Sequence, residues 1–125
     1  MKVLIIEDVS LFQKLLERLI GDEAQCHSYS NGQDGLRAFV EADKSEEPFD
    51  VIFLDIMMPG MSGLEVLRKI RAIDPDSQKV KIIMATSISD AENVRKAIAY
   101  GCDGYITKPY NKEDIMNQLR KLKLI

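Results

Sequence analysis

The apolar run VIFLD at residues 51–55, closed by an acid and followed by IMMPG, constrains this chain more than any other stretch. A run of strand length, rich in β-branched and aromatic residues, has no polar face to give to water. As a strand it must be covered on both sides, as in the middle of a parallel sheet flanked by helices. A carboxylate does not belong inside such a core, but at the carboxyl end of the strand it reaches the crevice where open α/β sheets bind their ligands. Asp55 is at that end, and Pro59-Gly60 then breaks the extended conformation and turns the chain. Taken alone, Asp55 is equally well a solvated acid ending a strand, and the remaining sequence has to decide.

A second buried-strand pattern, residues 3–6, also ends in carboxylates, Glu7-Asp8. Ser10 and Gln13 have capping-box spacing, and Leu11, Phe12, Leu15, Leu16 and Leu19 then recur at helical spacing up to Gly21. The more polar residues 25–29 suit an edge strand. Asn31-Gly32 marks the next turn or helix start, with Leu36, Phe39 and Val40 on its buried side before an acidic loop at residues 43–48, expected to be mobile. After the central strand, Ser62 and Glu65 form another capping box, and Leu64, Leu67, Ile70 and Ile73 line a helix that Asp74-Pro75 ends. KIIMAT, residues 81–86, is a fourth strand with the Thr86 hydroxyl at its carboxyl end. Ser89 and Glu92 cap a helix whose inward positions are mostly small, Ala91, Ala97 and Ala99 beside Val94 and Ile98, so that it is expected to be loosely held. Gly101 and Gly104 bracket a turn into a fifth strand at residues 105–107, which ends at Lys108-Pro109. Asn111 opens a last helix with Ile115, Leu119 and Leu122 facing inward and basic residues toward its end.

Strand and helix thus alternate five times without repeats or a linker, which predicts a doubly wound α/β fold with right-handed crossovers. Of the common strand orders, the flavodoxin-like 2-1-3-4-5 puts the first and third strands side by side at the switch point, where Glu7, Asp8 and Asp55 converge. With 125 residues the chain has the length of one domain, residues 1–125, and no attached output domain is expected. A net charge of −3 gives no general reason to bind nucleic acid or an anionic membrane. No apolar run is long enough for a signal peptide or membrane span, so a cytoplasmic location is expected. Cys26 and Cys102 lie far apart with no CxxC and are expected to be buried, reduced thiols. His27 is the single histidine, which leaves little material for a histidine-based metal site or triad.

Three carboxylates a few ångströms apart repel one another by about 1 to 4 kcal/mol per pair at 4 Å. A cation relieves that repulsion, and oxygen-only ligands favour Mg²⁺, or Mn²⁺, over zinc or copper. Such an ion commonly escorts phosphate. Lys108 and Thr86, each at the end of its own strand, are suited to bind phosphate oxygens as cation and hydroxyl donor, with Asp55 as the nucleophile that forms an aspartyl-phosphate. No GxGxxG and no Walker-type loop is present to cradle a nucleotide.

With Glu7-Asp8, Asp55 followed by Met58-Pro59-Gly60, Thr86 and Lys108-Pro109 in this order and spacing, the chain resembles a response-regulator receiver domain of the single-domain, chemotaxis-regulator type. The likeness runs from Lys2 to about Lys123. It implies that Asp55 accepts a phosphoryl group from a histidine kinase or phosphotransfer protein. It also implies that Glu7, Asp8, Asp55 and the main-chain carbonyl of Met57 hold Mg²⁺, that Lys108 pairs with the phosphoryl group and that Thr86 binds it as a switch hydroxyl. Tyr105 matches the aromatic switch position. Such a domain catalyses its own phosphorylation and dephosphorylation and signals to a protein target, here expected at the fourth helix, fifth strand and fifth helix, where Arg95, Lys96 and Tyr105 lie. Glu7 stands where many members carry Asp. Met57 and Ile88, at the positions two after the acceptor and two after the switch hydroxyl, are apolar and are expected to slow dephosphorylation. Two rival readings are weaker. A hydrolase resembling the haloacid dehalogenase family wants an acid where Met57 stands, and a degenerate scaffold would lack one of the key residues.

Overall fold

The computed structural model describes residues 1–75, 79–87 and 90–125. Five strands, β1 (Lys2–Ile6), β2 (Gln25–Tyr29), β3 (Val51–Asp55), β4 (Lys81–Ser87) and β5 (Gly104–Lys108), alternate with five helices. The helices are α1 (Ser10–Ile20), α2 (Gly32–Asp43), α3 (Gly63–Ile73), α4 (Ala91–Ala99) and α5 (Lys112–Lys121). All strand pairs are parallel, in the order β2-β1-β3-β4-β5, as the alternation predicts.

The pleat divides the core into two layers. Leu4, Ile6, Ile52, Leu54, Ile82 and Met84 face one way, toward α2, α3 and α4. Val3, Ile5, Val51, Phe53, Ile83 and Ala85 face the other, toward α1 and α5. All five residues of β3 are buried, which is why this segment reads as an unbroken apolar run.

Local signals set most helix starts. The side chains of Asn31, Ser62 and Asn111 accept hydrogen bonds from the amides of Asp34, Glu65 and Asp114, so each is an N-cap. At α1 the capping box is not formed. The N-cap is Val9, without a side-chain bond, Ser10 is already helical, and Nε2 of the Gln13 side chain donates to the Glu7 carbonyl at 2.6 Å instead. The capping pair of Ser89 and Glu92 lies partly outside the described residues, and Asp90 is the residue before α4. In α3 the buried stripe is Val66, Leu67 and Ile70, with Ile73 at 41% exposure turned out to water. In α4 only Ala97 is buried, and Ala91, Ile98 and Ala99 are exposed, so the helix is held by even less apolar area than its sequence implies.

At the opposite end of the sheet from the acids, Arg71 of α3 is buried in a polar network. Its guanidinium donates to Gly101 O (2.8 Å), Val80 O (3.1 Å) and Asp103 Oδ2 (2.7 Å), and lies 3.4 Å from Asp74 Oδ2. Those acceptors belong to the start of β4 and the turn between α4 and β5. Arg68 stacks on Tyr100, 5.1 Å from the ring centre. The acidic loop after α2 is tied back by the Lys2 ammonium to Glu47 O (2.6 Å) and the Lys2 amide to Asp50 Oδ2 (2.7 Å). Cys26 and Cys102 are free and only half-buried, and His27 packs edge-on to Phe49. Among the described residues no helix is long and apolar enough to cross a membrane.

Candidate functional site

Strand ends deliver the site. Glu7 follows β1 and stays in its extended line, because its amide bonds to Tyr29 O at 3.0 Å. β1 and β3 are hydrogen-bonded neighbours, Ile6 against Leu54, so the residues just past them, Glu7-Asp8 and Asp55, meet. Lys108 closes β5 and reaches back across the mouth. Its Nζ lies 3.0 Å from Glu7 Oε1 and 3.6 Å from Asp55 Oδ2. One carboxylate oxygen from each of Glu7, Asp8 and Asp55 lies within 4.8 Å of the others. Glu7 and Asp55 are 1% and 3% exposed, whereas Asp8 is half-buried at the rim.

The turn after β3 holds Asp55 in place. The Met57 amide donates to Asp55 Oδ1 at 3.3 Å, and the Gly63 amide donates to Ile56 O at 2.9 Å. Gly63 is needed for that approach, since a Cβ there would stand 2.0 Å from the Asp55 carbonyl oxygen. The Met57 side chain stays 66% exposed beside this turn.

Burial, then the hydrogen bond and charge of Glu7, push the Asp55 carboxyl up from 3.8 to about 8, with Lys108 opposing the shift and Asp8 adding to it. Glu7 Oε2 and Asp55 Oδ2 are buried and have no hydrogen-bond partner among the described residues. Lys108 meets Asp55 as a charge at 3.6 Å, beyond a good hydrogen bond. Unpartnered acidic oxygens facing a third acid are costly unless a cation joins them. The donor set therefore fits a small hard divalent ion.

Thr86 and Tyr105 share a cleft, and Thr86 follows Ala85, the residue paired with Asp55 across β3 and β4. Thr86 is buried, and its hydroxyl donates to Ser87 O at 3.2 Å. Together with Ala91, Val94 and Arg95 of α4, it and the 45% exposed Tyr105 line a cleft of about 320 Å³ between α4 and the β4–β5 edge. Ile88 lies outside the described residues.

Sequence reasoning missed Tyr110. It follows the cis Lys108-Pro109 bond, is 7% exposed, and its hydroxyl donates to Glu7 Oε1 at 3.4 Å. Burial and the charges of Glu7 and Asp55 hold its phenol far above the ordinary range, so it remains a donor. Phe12 of α1 packs edge-on to Tyr110 with ring centres 5.8 Å apart, and Lys108 Nζ sits 4.5 Å above the Phe12 ring. An aromatic residue two places after a strand-end lysine was the available signal.

Comparison with known proteins agrees with this fold. The family model for the response regulator receiver domain matches residues 3–120. The chemotaxis protein CheY of Halobacterium salinarum is 34% identical over 118 residues, covering 94% of this chain and 92% of that protein. The response regulator ArlR of Staphylococcus aureus is 34% identical over 123 residues, but the chain spans only 52% of its length. Among solved structures, a response regulator receiver domain protein from Clostridium thermocellum superposes with a TM-score of 0.81 at 30% identity, covering 98% of this chain and 97% of that one. The chemotaxis protein CheY4 of Vibrio cholerae gives 0.79 at 26% identity, covering 96% of both chains.

Proposed function

Since the chain belongs to the family of response-regulator receiver domains of two-component signalling, we propose that Asp55 is its phosphoryl acceptor and that residues 1–125 act as one receiver unit. The observation that carries this reading is the meeting of Glu7, Asp8 and Asp55 with Lys108 at the ends of neighbouring strands. An Asp55 oxygen attacks the phosphorus of a phosphohistidine on a histidine kinase or phosphotransfer protein. The P–N bond breaks and its electron pair returns to the imidazole.

Glu7, Asp8, Asp55 and the Met57 carbonyl are the residues that would hold Mg²⁺, or Mn²⁺ in its place. That ion supplies charge neutralisation, keeping Asp55 ionised at neutral pH and offsetting the charge on the transferring oxygens. Lys108 is close enough to both acids to exchange its contact with Glu7 for a phosphoryl oxygen. Thr86 is the hydroxyl expected to turn toward the phosphoryl group, vacating space in the cleft it shares with Tyr105. Movement of Tyr105 and α4 then alters the surface of α4, β5 and α5 that a protein target reads. The added charge of about −2 is the driving perturbation. Full switching from a mostly inactive state needs about 5.5 kcal/mol of preference for one arrangement.

The test is intact mass after incubation with acetyl phosphate or phosphoramidate, with and without Mg²⁺, beside an Asp55→Ala variant. One phosphoryl adduct that requires both Mg²⁺ and Asp55 is expected. An adduct that persists in Asp55→Ala would remove Asp55 from this role, and multiple-turnover phosphate release would point to a hydrolase.

A further inference from the structure

Lys108 is held from two sides. Its Nζ meets Glu7 Oε1 at 3.0 Å and Asp55 Oδ2 at 3.6 Å, and it also stands 4.5 Å above the centre of the Phe12 ring. Phe12 is half-buried in the first turn of α1, and the buried Tyr110 ring packs edge-on against it, with ring centres 5.8 Å apart and planes at 73°. Tyr110 itself is the weaker partner of the ammonium, its ring centre 6.0 Å from Nζ. Packing alone does not call for an aromatic residue at position 12, since the other inward positions of α1 are filled by Leu15, Leu16, Leu19 and Ile20. The ring face offers what leucine lacks, a quadrupole that attracts a cation without accepting its N–H bonds as a carboxylate does.

We propose that Phe12 is a positioning residue whose ring face holds the Lys108 ammonium at the mouth of the site, in place for the oxygens of an incoming phosphoryl group. The inference rests on the reading of Asp55 as the phosphoryl acceptor and Lys108 as its cationic partner. A lysine stem has many rotamers, and those that carry the ammonium into water or wholly onto Glu7 are unproductive. Transfer slows in proportion to the time the ammonium spends out of reach. A third carboxylate beside Lys108 would hold it by directed hydrogen bonds and keep it from the incoming group. The contact with Phe12 keeps the cation near while leaving its N–H bonds free to pass from Glu7 to a phosphoryl oxygen.

The test pairs Phe12→Leu, which keeps an apolar side chain but no ring, with Phe12→Tyr, which keeps the ring face. First, the Lys108 Hε protons are followed by proton–carbon correlation spectra of the full chain. Ring current from a face 4.5 Å from Nζ moves them upfield of the exposed lysines. That displacement is expected to vanish in Phe12→Leu and to persist in Phe12→Tyr. Second, phosphoryl uptake from acetyl phosphate in Mg²⁺ is timed by intact mass, as an Asp55 oxygen attacks phosphorus and acetate leaves with the electrons of the broken P–O bond. The rate constant is expected to fall about three- to tenfold in Phe12→Leu and to stay within about twofold of wild type in Phe12→Tyr. Lys108 protons that are not displaced, or that stay displaced in Phe12→Leu, would overturn the proposal. So would an unchanged rate constant in Phe12→Leu, or an equal loss in both variants, the result of altered packing alone. If the wild type shows the displacement but takes up no phosphoryl group, the reading of Asp55 fails and the proposal with it.

Discussion

Asp55→Asn should make the metal-free protein more stable, and increasingly so as pH rises. In the folded chain the Asp55 carboxyl titrates at about 8, against 3.8 in an unpaired state. Between those values the folded protein binds a proton that the unfolded chain has already released, so folding stability falls as pH rises through this window and levels off above it. At about 1.4 kcal/mol per pH unit the full gap would amount to about 6 kcal/mol. Water reaches the crevice beside half-buried Asp8 and Lys108 and screens the acids, which leaves roughly 2 kcal/mol. For a chain of this size that corresponds to about 6 to 8 °C in Tm. Urea and thermal unfolding in EDTA at steps from pH 4.5 to 9, on the wild type and Asp55→Asn, measure the difference directly. The two should differ little at the acid end, with the variant about 2 kcal/mol ahead above pH 8. A difference that is flat with pH, or a variant less stable at pH 8.5, would refute the claim that crowding of Asp55 by Glu7 and burial raises its pKa.

Other substitutions test other parts of the site and scaffold. Gly63→Ala sets a methyl group against the Asp55 carbonyl and should cost about 3 kcal/mol in urea unfolding while slowing uptake of the phosphoryl group; full stability would mean that the close approach is not needed. Arg71→Met leaves Asp74 and Asp103 without their guanidinium and should cost about 3 to 5 kcal/mol, read in the same experiment. Met57→Asn places an amide beside the phosphorylated Asp55 and should speed loss of the phosphoryl group by about three- to tenfold through orientation of water, and an unchanged lifetime would sink that reading.

What was legible in the sequence follows burial. β1, β3 and β4 are covered on both faces, so their apolar runs announce them, and the acids at the ends of β1 and β3 stand out because charge is foreign to such runs; Lys108 ends the partly exposed edge strand β5 and is marked instead by the Lys108-Pro109 pair. Caps at Asn31, Ser62 and Asn111 are local and equally visible. Ser10 and Gln13 carry the same local signal, but the Gln13 side chain reaches back to the Glu7 carbonyl six residues earlier, and that bond replaces the cap. Ile73 and Ile98 match helical periodicity yet are exposed, so the period of the apolar residues overstates the width of the buried stripe on α3 and α4. The partnership of Tyr110 with Glu7 joins residues 103 positions apart, and that of Arg71 with Asp103 spans 32. Neither leaves a local pattern, since a buried polar group is matched to whatever the fold brings near it.

The Arg71 network makes the two ends of α4 mechanically unequal. Its carboxyl end is fastened, with the Gly101 carbonyl on the guanidinium and Tyr100 under Arg68. Along the helix only Ala97 is fully buried, and toward the amino end the contact of Asn93 with the Met57 sulfur, at 3.8 Å, is weak. Tilting α4 about its fastened end moves mostly side chains that already face water, with half-buried Val94 the apolar exception, so it exposes little apolar area and costs little. The helix is a lever whose fulcrum is Arg71 and whose amino end overhangs the cleft lined by Thr86. Amide exchange should accordingly slow from the amino to the carboxyl turn of α4, and uniform protection along it would mean that no such lever exists.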